Sequence, residues 1–268
     1  MAHAEQDGPL VRGWDIRGDS PIAIRLRERQ TFVDAPALLR LETEADGQDP
    51  DAFGLFAGAL WSAAERLVPW YSATEAVATL TQHLRAGDAG QVYGLFCSLR
   101  VSRERRGQRA QLAALLPALS LSLFLLPSEV VRVQATCASL LQDSDAWFVH
   151  LRLADETLIT IESMATLPDE ASPELLVELT GSDAVLRAEP TRQSVTVQSD
   201  GAAATSTLWV EDPAERYLRA VAASWTADLP PLAPGTRVRT VWRALHASID
   251  AGAPITLTWP PATPSPAS

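Results

Sequence analysis

Four side chains that could hold an anion lie close together in the middle of the sequence. Arg132, His150 and Arg152 occupy alternate positions in two strand-like runs, and Glu162 follows in a third run. Alternate residues of a strand point to the same face of a sheet, and arginine binds carboxylates through paired hydrogen bonds. The pattern predicts either a site for an anionic ligand or a partner's carboxylate, or a polar sheet face in solvent or at a subunit contact, and the second interpretation is favoured.

The sequence lacks several groups on which enzymes depend. It contains no lysine, which excludes a Schiff-base lysine, a lysine general base and the lysine of a phosphate-binding loop. The histidines are scattered, Cys97 and Cys137 stand apart in apolar runs, and neither a zinc-site spacing nor a G-x-S-x-G motif occurs. We therefore predict no catalytic residue, no metal site and no cofactor.

Composition narrows the class of protein further. A net charge of -11 argues against nucleic acid and anionic membranes as partners, because both bind through a local excess of basic side chains. The uncharged stretch 110–128 is too short for a membrane span and predicts a buried helix, kinked at Pro117. Two cysteines cannot form a disulfide framework and no export signal is visible, so we expect a cytoplasmic protein.

Local patterns divide the chain into four regions. The predicted extension contains a hairpin, with period-two strands at 22–26 and 39–43, and then a helix whose apolar stripe runs from Phe53 to Val68. The main domain follows it. We predict a flexible N-terminus, this hairpin-plus-helix extension, the main domain and a disordered tail at residues 1–20, 21–69, 70–259 and 260–268.

The main domain alternates between helical and strand-like patterns. Ser72 and Glu75 form a capping-box pair, and the helix that they start ends at Gly87. Asp212 before Pro213 is a second strong helix start, while residues 200–204 predict a flexible turn. Further helices are predicted at 112–126 and 238–249, and strands at 91–101, 130–140, 147–153, 158–164, 175–180, 184–189, 194–197 and 255–259. This order predicts an α+β fold in which helices cover one face of a large, mainly antiparallel (mixed) sheet.

Five motifs in this region resemble the C-terminal domain of the glucose-fructose oxidoreductase / inositol dehydrogenase (Gfo/Idh/MocA) superfamily. They occur in the family's order and spacing and cover about residues 72–258. They are similar to its "aG.iG.v" turn, its helix ending in "llG.v..v", its "a.l.f.nG..g" hairpin, its "G..G.l" turn and its closing "A...Sa..g..v.l", at residues 80–92, 115–133, 148–158, 181–186 and 244–257. The resemblance implies that the open face of the sheet is a subunit contact.

The chain departs from the family wherever that family carries out its chemistry. No G-x-G-x-x-G occurs, so we predict that the Rossmann domain is missing. The family's catalytic lysine cannot exist here, and its helix motif "D.g.H..D" corresponds to residues 113–120, which contain neither Asp nor His. The family's histidine would fall near Pro117 or Ala118. The resemblance therefore implies a degenerate oxidoreductase domain that is not an enzyme on its own.

Three hypotheses for function remain open. The first is an oligomerisation or interaction subunit that assembles with itself, or with a relative that contains a Rossmann domain. The second is a module that binds a sugar or sugar acid. The third is part of an NAD(P)-dependent sugar or inositol dehydrogenase whose cofactor domain another chain supplies.

Overall fold

The computed structural model describes residues 13–17, 27–28, 30, 38–42, 58–60, 67–103, 114–140, 145–207, 212–226 and 235–259. The helices are α1 Glu75–Ala86, α2 Leu116–Leu125, α3 Pro213–Thr226 and α4 Gly235–Ala251, with a 3-10 helix at Trp70–Ala73. The strands are β1 Gly13–Arg17, β2 Leu38–Glu42, β3 Gly58–Leu60, β4 Leu67–Pro69, β5 Val92–Ser102, β6 Val130–Ala138, β7 Ala146–Leu153, β8 Leu158–Leu167, β9 Glu174–Gly181, β10 Val185–Glu189, β11 Ser194–Ser199, β12 Ala202–Thr207 and β13 Ile255–Thr256.

Nine of these strands form one mixed sheet. Their order is β12-β11-β10-β9-β5-β8-β7-β6-β13, and every neighbouring pair is antiparallel except β5 and β8. The four remaining strands form two small sheets, β1 with β2 and β3 with β4. A large, mainly antiparallel sheet with helices on one face is the predicted fold class, which the structure confirms.

The helices cover one face of the nine-stranded sheet. Helix α1 packs on β10 and β11, α2 on β5 and β8, and α4 on β6. Strand residues that point toward these helices are buried almost completely, as Cys97, Leu151 and Ile161 illustrate. This layer is the hydrophobic core, and its existence follows from the apolar alternation of the strands.

Helix α2 lies inside the core. β4, the 3-10 helix and α4 cover the part of it that the sheet leaves free, and its residues are buried apart from Phe124. Its two buried hydroxyl groups form hydrogen bonds within the helix. Ser120 Oγ donates to Leu116 O and Ser122 Oγ donates to Ala118 O, both at 2.8 Å. Pro117 lies in the first turn of α2, where proline is well tolerated, and the predicted kink stays a prediction. No described helix is long and apolar enough to span a membrane.

A buried arginine joins the ends of two helices. The guanidinium of Arg237 in α4 donates to the carbonyl oxygens of Leu123 (3.0 Å), Leu126 (3.1 Å) and Ser128. These carbonyls lie at the C-terminal end of α2, where carbonyl groups have no N–H partner within the helix. Burial lowers the pKa of Arg237 to about 10, and the charge of Glu129 opposes that effect, so the side chain stays cationic at neutral pH.

Helix α1 begins later than the capping-box pair predicts. Its N-cap is Thr74, whose hydroxyl accepts a hydrogen bond from Val77 N at 3.4 Å, so the assignment of Ser72 as the cap is wrong. Ser72 lies in the preceding 3-10 helix. The predicted end is confirmed, since Gly87 has φ +82°, a conformation that glycine adopts without strain.

The two glycine turns of the resemblance dock against each other. Asp183 N donates to Ala89 O at 3.0 Å, and Ser182 N donates to Gln91 O at 2.9 Å. A Cβ at Gly181 would lie 2.0 Å from Ala89 O. The motifs at residues 80–92 and 181–186 are therefore the two halves of one backbone contact.

The predictions for the N-terminal region are tested only in part. β2 is a strand as predicted, but its partner is β1, which lies in the supposed flexible N-terminus and runs parallel to it. A hairpin turn cannot join a parallel pair, so β1 and β2 do not form a hairpin. Residues 22–26 lie outside the described part, and the absence of a Rossmann domain stays a prediction.

Two further predictions differ from the structure. The helix expected from Phe53 to Val68 is wrong where the chain is described, because β3 and β4 form an antiparallel pair there. Gly58 in β3 disfavours a helix. Phe53 lies outside the described residues. The flexible turn expected at 200–204 is only a turn at Asp200 and Gly201, after which β12 pairs with β11. The region boundaries themselves stay predictions, and the tail lies outside the described residues.

Candidate functional site

The second face of the sheet points away from the helices, and we call it the open face. It is formed by the even-numbered residues of β5 to β9, from Arg132 onward in β6, and by the odd-numbered residues of β10. No described helix packs on it. Six strands spaced about 4.8 Å apart, with about seven residues each, span roughly 25 Å by 25 Å, which approaches the area that one partner contributes to a standard protein interface.

All four predicted site residues lie on this face. Arg132 and Arg152 are cross-strand neighbours in the β6–β7 pair. His150 faces Thr160 of β8, with 3.3 Å between Nδ1 and Oγ1. Glu162 follows Thr160 by two residues and is therefore a diagonal neighbour of His150. The structure brings the four residues into one area, although none of them forms an ion pair with another of the four.

The ion pairs that do form on or beside this face are local. Arg152 pairs with Glu156 of the adjacent turn. Glu189 pairs with Arg187 and Arg192, both at 3.1 Å. Exposed pairs of this kind contribute little to stability, so they leave the surface available for other contacts.

The centre of the open face contains apolar residues that sequence patterns did not single out. Phe96, Phe148, Leu176 and Met164 are all partly buried by their neighbours and point away from the core. They surround Ser98, whose cross-strand neighbours are Leu176 and Glu162. Apolar and aromatic residues at the centre of a polar surface are typical of protein interfaces. The sequence does not reveal this apolar group, because each of its residues belongs to a different strand.

An acidic group on the far half of the face was also missed. Glu174 and Glu178 of β9 point to the open face, as does Glu189 of β10. Each looks in the sequence like an ordinary exposed strand residue. Only the order of the strands shows that they lie on the half of the face away from the basic strands β6 and β7.

The remaining reactive side chains lie on the helix side and have structural surroundings. Cys97 is buried, and burial raises the pKa of its thiol to about 12 while a hydrogen bond with Ser122 opposes that shift, so the thiol stays protonated. His246 lies beside Trp147 and Trp242, with ring centroids 6.1 Å and 4.9 Å away. No group of His, Cys, Asp and Glu among the described residues could hold a metal ion. The absence of a metal site stays a prediction.

The start of helix α2 does not fit a hydride-transfer site. Leu116, Ala118 and Leu119 are at most 2% exposed, and Pro117 is buried with them. Proton transfer to or from a sugar hydroxyl requires a titratable group within hydrogen-bond reach, and these residues offer only apolar atoms. The described residues at this position therefore do not match the chemistry that a nicotinamide cofactor would need beside it.

The sheet and its helix layer define an α+β domain, and its fold agrees with the one that the Gfo/Idh/MocA resemblance implies. The solved structure of levoglucosan dehydrogenase in complex with NADH and levoglucosan is similar to this chain at 15% identity, with a TM-score of 0.58 over 71% of this chain and 65% of that one. The aldose-aldose oxidoreductase from Caulobacter crescentus, complexed with glycerol, is similar at 13% identity, with a TM-score of 0.60 over 72% and 64%.

A third similar structure is an NAD binding oxidoreductase from Klebsiella pneumoniae, at 13% identity, with a TM-score of 0.60 over 71% of this chain and 65% of that one. This chain thus spans just under two thirds of the length of these three structures. No family model and no curated protein matches the sequence. At such low identity the likeness establishes the fold alone.

Proposed function

We propose that this chain is a catalytically degenerate assembly subunit of the oxidoreductase type, which associates with another protein subunit through the open face. The observation that carries the proposal is the partly buried apolar centre of that face. Burying such a centre removes apolar area from water, which drives association. The family resemblance, which implies a subunit contact on this face, supports the same interpretation.

The degenerate character rests on side-chain chemistry. The sequence has no lysine, and the helix start that carries acid and base groups in the family holds only buried apolar residues and proline here. A scaffold that has lost these groups can still present its sheet to a partner. The free Cys97 and Cys137 fit the reducing cytoplasmic compartment that we propose for it.

Sedimentation velocity on the full chain tests the assembly role. We expect the wild-type chain to be at least a dimer at micromolar concentration and the Leu176→Glu variant to be a monomer, because the new carboxylate would be desolvated at the interface. Leu140→Glu is the matched control, since Leu140 is 54% exposed beyond the end of β6. A strictly monomeric wild-type chain would exclude self-assembly, and a dimer that tolerates Leu176→Glu would refute the role of the open face.

A second candidate comes from the ligands in the similar structures, one of which contains NADH and levoglucosan. In this case the chain would be part of an NAD(P)-dependent sugar dehydrogenase, with its cofactor domain on another chain, or a sugar-binding module without the chemistry. Thermal stabilisation of the chain by NADH or by levoglucosan, each tested alone, would favour this candidate. The absence of any shift at millimolar ligand would count against it.

A further inference from the structure

Four exposed side chains at the β6–β7 end of the open face can all donate hydrogen bonds. Arg132 of β6 is the cross-strand neighbour of Arg152 of β7. In the next row, Gln134 is the neighbour of His150. The spacing of strands and of alternate residues places these donors within an area of roughly 5 Å by 7 Å. We call the four residues the donor patch, and neither strand contributes a carboxylate to it.

The donor patch carries an unbalanced positive charge. Two guanidinium groups directly opposite each other on a sheet repel. Glu156 of the following turn pairs with Arg152, whereas Arg132 forms no ion pair with a described side chain. Glu162, the first carboxylate along β8, lies four residues beyond the neighbour of Arg152, a distance of roughly 13 Å. One positive charge therefore remains, which a single carboxylate would balance.

An apolar shelf continues the row of the two arginines. Arg152 has Leu158 of β8 as its cross-strand neighbour, and Leu158 has Gly94 of β5. Leu158 is 56% exposed, which makes it one of three exposed large hydrophobic side chains among the described residues. A Cβ at Gly94 would come no closer than 3.6 Å to another part of the chain, at Leu158 O, so the surface above this glycine is open. An exposed leucine beside open backbone offers contact area to an apolar group.

We propose that the donor patch and this shelf form one binding site for a carboxylate that carries an apolar body. The carboxylate accepts hydrogen bonds from Arg132 and Arg152, and the apolar body lies on Leu158 and over Gly94. Gly94 lies two strands from Arg152, roughly 10 Å away, which an extended octanoate can span. The inference goes beyond the assembly function, because the site is complete within one chain.

The charge of the patch selects the class of ligand. Guanidinium groups bind carboxylates through paired, charge-assisted hydrogen bonds, and one remaining positive charge matches a monoanion. A neutral sugar would leave that charge unbalanced and would place its hydroxyl groups against Leu158. The same chemistry occurs in a free acid and in the last residue of a polypeptide when that residue is apolar, so the test uses a probe for each source.

Octanoate is the probe for a free acid, and the tripeptide Gly-Gly-Leu with a free carboxylate is the probe for a chain terminus. Octanamide and the amide of the tripeptide are their uncharged controls. Each is titrated into the wild-type chain and into Leu176→Glu, because a partner on the open face would compete for the site. Nuclear magnetic resonance follows the arginine Nε–H signals and gives the dissociation constants.

We expect millimolar binding of at least one carboxylate probe and binding of its amide that is weaker by about 5-fold or more. Arg132→Gln and Leu158→Ser should each weaken binding about 5-fold, through loss of a charge-assisted hydrogen bond and of apolar contact. Arg100→Gln and Leu140→Ser are the matched controls and should bind like the wild type, since Arg100 is exposed on β5 and Leu140 is 54% exposed beyond the end of β6.

The same titrations decide the source of the carboxylate. Tighter binding of the tripeptide identifies a chain terminus, whereas binding of octanoate that is at least as tight identifies a free acid. The inference would be overturned if neither carboxylate bound either protein, if the amides bound equally well, or if the control substitutions weakened binding as much as Arg132→Gln and Leu158→Ser.

Discussion

The surroundings of His246 predict how the stability of the protein depends on pH. It lies between two indole rings, and burial lowers the pKa of its imidazole while the charge of Asp250 opposes that shift. In the unfolded chain the imidazole takes up its proton at the ordinary pKa, about 6.5. The unfolded state therefore binds more protons just below that pH, so the free energy of unfolding falls as the pH drops through this window.

We predict that the wild-type chain and the His246→Gln variant differ in how their unfolding free energy depends on pH. Between pH 7.5 and pH 5 the wild-type chain should lose more unfolding free energy than His246→Gln, because glutamine does not titrate and all carboxylates are common to both. Urea unfolding followed by fluorescence, at several pH values, measures this difference. Parallel pH profiles for the two proteins would show that the imidazole between the indoles does not govern acid stability.

At the scale of elements, the docking of the two glycine turns fixes how β5 meets β9. Replacement of Gly181 by alanine would place Cβ 2.0 Å from Ala89 O, which is a backbone atom that cannot move aside. Gly94 provides the control, because its Cβ would lie 3.6 Å from Leu158 O, an ordinary contact. We expect Gly181→Ala to lower the free energy of unfolding by more than about 2 kcal/mol, as clashes in packed regions do, and Gly94→Ala to change it by less than about 1 kcal/mol.

Thermal and urea unfolding of the two glycine variants decides this point. Equal destabilisation by both substitutions would mean that the turn contact is not tight. The comparison is fair because both glycines lie in neighbouring strands of the same sheet.

Elements with strong local patterns could be predicted from the sequence, and the others could not. β7 and β8 alternate clearly and are joined by a tight turn, so their pairing was predictable. β12 was missed because Ala and Ser/Thr residues alternate in neither size nor polarity, and all six of its residues are exposed. The parallel pairing of β5 with β8 is not visible in any local pattern, because the two strands are more than fifty residues apart.

The candidate site could also be predicted only in part, because some of its strands are distant in the sequence. Arg132, His150 and Arg152 could be assigned to one face, because they lie on consecutive strands joined through short connections. Glu174 and Glu178 could not be placed beside them, because β5 and β8 separate the two groups in the sheet. A sequence reveals which residues share a strand face, whereas the order of distant strands depends on packing across the whole domain.

At the scale of the molecule, the β6 edge of the sheet is covered by neighbouring residues, whereas the open face is not covered by any described helix. Beyond β6, the short β13 pairs with it, the Ser248 hydroxyl accepts from Ala135 N at 3.0 Å, and Trp259 Nε1 donates to Val130 O at 2.7 Å. These contacts satisfy backbone groups that the two-residue strand alone would leave free. The face, by contrast, has no described cover. The β6 edge is thus closed within the described chain, and the open face is the surface that we propose for a partner.

If assembly through the face is part of the native state, global stability must depend on protein concentration. Dissociation then accompanies unfolding, so each tenfold rise in concentration above the dissociation constant should raise Tm by about 2 °C for a domain of this size. Leu176→Glu, which should be monomeric, would show no such dependence, while the surface control Leu140→Glu should behave like the wild type. Differential scanning calorimetry from 5 to 500 μM, with reversibility checked by rescanning, makes the measurement. A wild-type Tm that stays constant over this range would mean that the domain gains no stability from a partner, because any association on the face would then be too weak to bias the folded state.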